Sequence, residues 1–247
     1  MITWASRRWF LTGGTLGSAS LLLGCGKGAA AQTPPATGAS EKSAGAGEPE
    51  VTATEDLMRE HGVIRRALVV YREAAALLRS NPSGVPSDAL TSTAQLLRTF
   101  GEDYHEKALE EAHIFPALQA RGGPAQRDVG TLIVQHQRGR ELNEYVLGLR
   151  GANLAAHAEP LAKVLDSFAR MYEEHAAIED TVVFPAWKKT MSPKQLDEIG
   201  EMFEEIEHKT FGKDGYEDAV SKIAVIEKAF GLDLARFTPS APPAMSR

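Results

Sequence analysis

Residues 103–116 read DYHEKALEEAHIFP, and residues 171–185 read MYEEHAAIEDTVVFP. Each stretch carries a tyrosine, a histidine, a later carboxylate and a closing Phe-Pro pair. A phrase that occurs twice within one helical domain indicates an internal repeat, whose matching residues come together around a pseudo-twofold axis. The pattern therefore predicts a single site built from both halves of the domain.

Outward from these stretches, apolar residues recur at the steps of three and four that are typical of amphipathic helices. We predict four long helices, at about 55–79, 87–121, 125–147 and 159–182, the first with a capping box at Thr52 and the second capped by Ser87 or Asp88. Four such helices joined by short breaks predict an all-α fold, an antiparallel up-down-up-down four-helix bundle. Two additional C-terminal helices are expected, one starting at Ser192-Pro193 and one between Gly215 and Gly231.

The composition suits one soluble globular domain with some unstructured length attached, since 43% of the 247 residues are hydrophobic and 24% are charged. Acidic residues outnumber basic ones by 33 to 27, which argues against a nucleic-acid partner. Cys25 is the only cysteine, so neither an intrachain disulfide nor a thiolate metal cluster can form. Any metal site must therefore use nitrogen and oxygen ligands.

The N-terminal segment predicts export. Residues 6–11 read SRRWFL, a twin-arginine pattern, and the apolar run that follows at 11–23 is too short to span a membrane. It ends in LLGC at residues 22–25, which resembles a bacterial lipobox and predicts lipidation of Cys25. The protein is then expected in the periplasm or another extracytoplasmic compartment, tied to a membrane by this lipid. The alternatives are cleavage after the alanines at 29–31, which gives a soluble exported form, and a buried N-terminal helix.

These features divide the chain into four regions. We predict a signal peptide at 1–24, a disordered tether at 25–54, a helical domain at 55–235 and a disordered tail at 236–247. The tether consists mainly of Gly, Ala, Pro, Ser and Thr, a composition that cannot bury a core. The tail contains three prolines and shows no helical period.

Each long helix is expected to carry one histidine in its apolar seam: His61, His105, His136 and His175. Glu179 lies one turn after His175, on the same face of its helix. A buried carboxylate costs several kcal/mol unless it is paired or coordinates a cation. A metal ion would remove that cost, whereas the alternative is a metal-free interaction bundle in which the histidines only fill the seam.

The matching carboxylate of the first stretch is Glu110, counted back from the Phe-Pro pair. Glu110 follows His105 by five residues, about 500° of ideal α-helix, which turns it some 140° away from the face of His105. A π-bulge near Ala108 would bring the two onto one face, and such bulges occur preferentially at functional sites. We therefore predict a π-bulge there, with Glu106 as the alternative ligand.

Further candidates adjoin these residues. Glu141 follows His136 by five residues and is either an additional ligand or a solvated surface carboxylate. His113 precedes the first Phe-Pro pair and either points outward or forms a hydrogen bond near the metal. Tyr104 and Tyr172 flank their histidines and either fill the core or donate a hydrogen bond to a bridging ligand.

The chain resembles the hemerythrin-like (HHE cation-binding) family over about residues 55–234. The resemblance lies in DLMREH at 56–61, in the two His-Glu-Phe-Pro phrases and in QHQ at 135–137. It implies a non-haem di-iron centre inside a four-helix bundle. Oxygen-carrying members have a second histidine where this chain has Arg140, a departure that speaks against reversible oxygen carriage. The remaining four histidines and two glutamates resemble the site of the iron-centre-repair and nitric-oxide-responsive branch.

This resemblance implies two iron ions, with manganese or a mixed pair as alternatives, and a bridging oxo or hydroxo group. With two histidines on each ion, and with Glu110 and Glu179 bridging, one coordination position stays open for oxygen, nitric oxide or peroxide. We therefore expect a protein that binds such a small ligand or handles iron. The alternative with a metal is a di-iron oxidase or peroxidase.

Overall fold

The computed structural model describes residues 51–233 and 235–243, and every regular element within them is helical. The prediction of an all-α fold is confirmed. The predicted signal, Cys25 and most of the predicted tether lie outside the described residues. Among the residues described, no helix combines the length and the apolar character needed to cross a membrane.

The first helix, α1, spans Ala53–Ser80, and its N-cap residue Thr52 accepts a hydrogen bond from the backbone N–H of Glu55 at 3.4 Å. The second helix begins at Ser87, and the residue before it is Pro86, which offers no side-chain cap. The prediction that Ser87 or Asp88 caps this helix is therefore wrong. Both residues already lie inside the first turn, and Pro86 takes the N-cap position with a non-helical ψ of 86°.

Two of the long helices contain π-helical segments. Helix α2 consists of α-helical Ser87–Leu96, π-helical Leu97–Ile114 and α-helical Phe115–Arg121. Helix α4 repeats this plan with Ala158–Ile178, Glu179–Val183 and Phe184–Lys188. In both helices the Phe-Pro pair opens the last α-helical segment. A proline ring crowds the carbonyl four residues earlier, and we attribute the wider turn before it to relief of that crowding.

Helix α3 spans Gln126–Gly148 and completes the bundle. Helix α1 packs against α2 and α4, and α3 packs against the same two helices, so the four form a closed ring around one core. At one end of the bundle this core is apolar and aromatic, with Tyr71 edge-on to Phe168 at 5.2 Å between ring centroids. Towards the other end, the seam changes to histidine and glutamate.

Two further helices cover the side of the bundle formed by α1 and α2, as predicted from the C-terminal sequence. Helix α5, Pro193–Phe211, starts with a capping box between Ser192 and Gln195, and helix α6 spans Gly215–Ala229. Helix α6 is tied to α1 by a bidentate pair in which Arg66 donates to both oxygens of Glu227, at 2.8 and 2.6 Å. Beyond it, Ala235–Phe237 forms a 3₁₀ turn within the region predicted as domain end and tail.

Candidate metal centre

The polar end of the bundle core brings together the six residues predicted as metal ligands. Each side chain is at most 3% exposed, and all four long helices contribute. The set is His61 from α1, His105 and Glu110 from α2, His136 from α3, and His175 and Glu179 from α4. Their convergence is a fact of the structure, and their role as ligands remains a prediction.

The histidines form two pairs, which we call the first and the second position. In the first position the rings of His61 and His105 have centroids 4.6 Å apart, and in the second those of His136 and His175 are 4.8 Å apart. In the second position the two Nε2 atoms also face each other at 3.0 Å.

Both glutamates lie between the two positions. One oxygen of Glu110 is 3.5 Å from His105 Nε2, and its other oxygen is 3.3 Å from His136 Nε2. Glu179 Oε2 is 3.4 Å from His61 Nε2 and 3.1 Å from His175 Nε2. Each carboxylate therefore faces one histidine of each position, which is the placement required of a bridging ligand.

The π-helical segment explains how Glu110 reaches the site. In a π-helix the backbone bonds run to the fifth residue, so residues five apart lie about one turn apart on the same face. His105 and Glu110 both lie within Leu97–Ile114 and point to the same centre. The prediction of a π-bulge near Ala108 is confirmed, although the π-helical stretch is longer than a single bulge.

Five inward-facing atoms lack a hydrogen-bond partner among the described residues. They are His105 Nε2 and both oxygens of Glu110 and of Glu179. Buried carboxylate oxygens normally have hydrogen-bond partners, and leaving such an oxygen without a partner is costly. A cation among these atoms would satisfy them, and imidazole with carboxylate is a donor set that suits iron or manganese. The residues present therefore fit a metal centre.

In each of the four histidines of the cluster, the outer ring nitrogen donates to an oxygen on a neighbouring helix. The Nδ1 atoms of His61, His105, His136 and His175 lie 2.7, 2.7, 2.8 and 2.9 Å from Asp180, Glu60, Glu111 and Gln135, respectively. Since Nδ1 is the donor in each case, Nε2 is the nitrogen that faces inward, and its lone pair is available to a metal when the ring is neutral. Such outer partners orient metal-binding imidazoles and raise their basicity.

Sequence reasoning missed these four acceptors, although their positions repeat. Glu60 and Gln135 each precede a seam histidine, and Glu111 and Asp180 each follow one of the two inner glutamates, Glu110 and Glu179. The Phe-Pro pairs repeat in the same way: the ring of Phe184 stacks on His61 at 5.3 Å and that of Phe115 on His136 at 5.4 Å. Comparing the two phrases residue by residue would have matched Glu111 with Asp180 and Phe115 with Phe184, whereas Glu60 and Gln135 lie outside both phrases.

Without a metal, the imidazoles and carboxylates of the site shift one another's pKa values. Burial lowers the pKa of His136, but the neighbouring carboxylates, led by Glu106 and Glu110, outweigh it and raise this pKa to about 10. The pKa values of His61 and His105 are also raised, because burial is outweighed by their carboxylate partners. The pKa values of Glu110 and Glu179 are lowered, since nearby imidazoles outweigh their burial and mutual repulsion. The metal-free core therefore holds carboxylates beside protonated imidazoles.

Glu106, the alternative ligand, lies outside the inner cluster. It accepts hydrogen bonds from Tyr172 and from Arg140, the latter at 3.1 Å, and its nearest oxygen is 3.9 Å from His136 Nδ1. Burial raises its pKa to about 7. Arg140 also donates to Glu111, so it links two carboxylates behind the second position.

The other candidates take different places. Tyr104 donates to Glu60 at 2.9 Å, so both tyrosines bond to outer carboxylates rather than to the inner cluster. His113 is half-buried and packs against Phe203. Glu141 lies on the surface, where it pairs with Arg138, so the structure does not place it among the ligands.

Comparison with known proteins agrees with this geometry. The family model of the hemerythrin HHE cation binding domain matches residues 52–187. The chain belongs to this family. Membership of this family implies a metal centre, typically of iron, and the histidine and glutamate clusters around Glu110 fit such a centre.

Relatives extend the match beyond the hemerythrin domain. Over 198 residues the chain is 45% identical to uncharacterized proteins of Mycobacterium tuberculosis strain H37Rv and of Mycobacterium bovis. The alignment covers 78% of this chain and 76% of each relative. No solved structure gives a significant match.

Proposed function

We propose that this protein is an exported di-iron protein that binds a small diatomic ligand, oxygen or nitric oxide, between the two histidine pairs. The observation that carries the proposal is the set of unsatisfied oxygens of Glu110 and Glu179, each carboxylate facing both positions. Each iron would receive two imidazole nitrogens and two carboxylate oxygens. Four protein donors leave a coordination position for an exogenous ligand.

Iron would supply a Lewis-acidic and redox-active centre for that ligand. The chain itself supplies the orientation. Asp180, Glu60, Glu111 and Gln135 fix the four rings, while the rings of Phe184 and Phe115 cover the outer faces of His61 and His136. Because the six inner residues are at most 3% exposed, we expect the ligand to enter a preorganised and water-poor site.

A second candidate, reduction of peroxide, is favoured by the cluster behind the second position. Reduction of peroxide to two water molecules takes two electrons, which an external reductant would supply through the iron pair, and two protons. Tyr172 and Arg140 hold the buried carboxyl group of Glu106, a candidate proton donor, beside His136. With its pKa raised to about 7 by burial, Glu106 is suited to carry a proton near neutral pH.

Exposure of the reduced, iron-loaded chain to nitric oxide and then to peroxide separates the two functions. If the protein is a binder, the ferrous spectrum returns after the gas is removed, and peroxide is not consumed over many cycles. Catalytic peroxide consumption that falls in Glu106→Gln, but not in the surface variant Glu141→Gln, would favour the peroxidase. A chain that responds to neither probe would contradict both.

Export is the second part of the proposal, and it rests on the twin-arginine pattern at 6–11 and the LLGC sequence at 22–25. When the full chain is expressed in a bacterium with twin-arginine export and lipoprotein processing, and the cells are fractionated, we expect it in the membrane fraction. The Cys25→Ser variant should move to the soluble exported fraction, because it cannot be lipidated. Wild-type protein found in the cytoplasm would contradict this part alone.

A further inference from the structure

The two positions are related by a pseudo-twofold axis that exchanges α1 with α3 and α2 with α4. Each side contains a histidine, a carboxylate bonded to its Nδ1, and an arginine one turn along the same helix that binds this carboxylate. These sets are His61, Asp180 and Arg65 on one side, and His136, Glu111 and Arg140 on the other. In this respect the two positions are matched in charge.

The symmetry is broken at one pair of residues. His105 of the first position donates to the carboxylate of Glu60 at 2.7 Å, whereas His175 of the second position donates to the amide of Gln135 at 2.9 Å. Glu60 is 1% exposed, and Gln135 is half-buried. The acceptor of the first position is therefore a carboxyl group in a dry environment, and that of the second is an uncharged amide.

Glu60 differs from the other outer carboxylates in the groups that donate hydrogen bonds to it. Asp180 and Glu111 are each held by an arginine, but Glu60 accepts its hydrogen bonds from His105 and from the neutral hydroxyl of Tyr104. Glu106, the further carboxylate near the second position, does not reach an imidazole nitrogen within hydrogen-bond distance and is bonded to Arg140. The first position thus has one additional carboxyl group bonded directly to an imidazole that is predicted to bind metal.

An imidazole that donates its outer N–H to a carboxylate is a stronger metal ligand than one that donates to an amide, and loss of such a partner typically costs roughly 10–100-fold in metal affinity. We propose that the His61/His105 position binds metal more tightly than the His136/His175 position, and fills first, because Glu60 stands where its counterpart is Gln135. The inference rests on the proposed two-metal centre. Glu60 and Gln135 act as positioning residues that make the two ions inequivalent.

The test is an anaerobic calorimetric titration of the metal-free full chain with Fe²⁺, in wild type, Glu60→Gln and Gln135→Glu. Both substitutions keep the shape of the side chain and change one charge. We expect two binding steps in wild type, a tighter step weakened by roughly 10–100-fold in Glu60→Gln, and a weaker step strengthened in Gln135→Glu. The double variant should again show two separated steps.

The control is Tyr104→Phe, which keeps the charge of Glu60 but removes one of its hydrogen bonds. It should leave the tighter step in place. Equal steps in wild type, an unchanged titration in Glu60→Gln, or a loss in Tyr104→Phe as large as that in Glu60→Gln would each overturn the inference alone. Failure of the folded wild-type chain to bind Fe²⁺ would instead contradict the metal centre on which the inference rests.

Discussion

At the scale of single residues, the centre depends on groups that a simple apolar seam would not need. His175 contacts Glu179 and His136 and is buried in the core. Replacing it with leucine removes one nitrogen donor while keeping an apolar side chain of similar size. We expect His175→Leu to lose at least one iron per chain yet remain helical, because the seam tolerates an apolar residue.

Iron content and far-ultraviolet circular dichroism check this prediction. The matched control is His113→Leu, since His113 is a half-buried histidine outside the cluster. The control should retain the wild-type iron content. A His175→Leu protein with as much iron as wild type would show that this histidine is only a packing residue.

A second residue-scale prediction concerns the metal-free protein and the pair formed by His136 and Glu111. The pKa of His136 is raised from 6.5 to about 10. Its contribution to the free energy of unfolding is therefore complete below pH 6.5 and is lost as the pH rises through 10. Bonds from His136 and Arg140 outweigh burial and lower the pKa of Glu111 from 4.5 to about 2, so its contribution is complete above 4.5 and is lost as the pH falls through 2. The pair should stabilise the fold most between about pH 4.5 and 6.5.

Urea unfolding of metal-free wild type and of metal-free Glu111→Gln is measured from pH 2 to 10. The free energy of unfolding of the wild type minus that of the variant gives the contribution of the pair. We expect the difference in the free energy of unfolding to be largest near pH 5 to 6 and to shrink toward both ends of the range. A difference that grows from pH 6.5 to pH 10 has the wrong sign for a protonated His136 and would rule out the pair as the cause.

At the scale of helices, Gly139 of α3 lies directly against the Tyr172 side chain of α4. An added methyl group there would lie 2.8 Å from ring carbons of Tyr172, the residue that binds Glu106. Overpacking of this kind typically costs about 1–3 kcal/mol. We therefore expect Gly139→Ala to destabilise the protein and to displace Tyr172.

Gly130 on the same helix provides the control, because nothing lies within 4 Å of an added methyl group there. Gly130→Ala should leave stability unchanged or raise it by up to about 1 kcal/mol through helix propensity. Chemical denaturation of both variants checks the pair. Equal stability of the two alanine variants would contradict the close contact at Gly139.

The helices themselves were largely predictable from sequence, since steps of three and four set their number, their order and their inward faces. The same period placed His61, His105, His136 and His175 in the seam. The start of α2 near residue 87 was predicted, but its cap was not, because Pro86 takes the N-cap position and offers no side-chain hydrogen bond. The π-helical segment Glu179–Val183 was also missed, since His175 and Glu179 are four apart and required no wider turn.

The outer acceptors show why the remainder of the site could not be predicted. Asp180 reaches His61, and Glu111 reaches His136, across the interface between helices. Which polar residue of one helix meets the histidine of another depends on the relative height and rotation of the two helices. Helical periodicity does not give these quantities, whereas comparison of the repeated phrases gives the pairing once one half is known.

At the scale of the whole molecule, the apolar end of the bundle and the added helices hold the polar centre together. Helix α5 ends in Phe211, whose ring meets Tyr104 edge-on at 5.2 Å, next to the bond between Tyr104 and Glu60. The C-terminal turn is tied back to α1, where Arg236 donates to Glu73 at 2.7 Å. Elements outside the matched domain at 52–187 thus support the side of the bundle that carries the first position.

The proposed role of Glu110 and Glu179 is to bridge two iron ions, and the decisive measurement is the iron content of the full chain together with its Mössbauer spectrum. For protein purified from iron-supplied medium, we expect about two irons per chain that are magnetically coupled through shared ligands. A well-folded helical protein that carries no iron, and that takes up no Fe²⁺ under anaerobic conditions, would contradict the claim. One isolated iron per chain would contradict the bridging role of both glutamates.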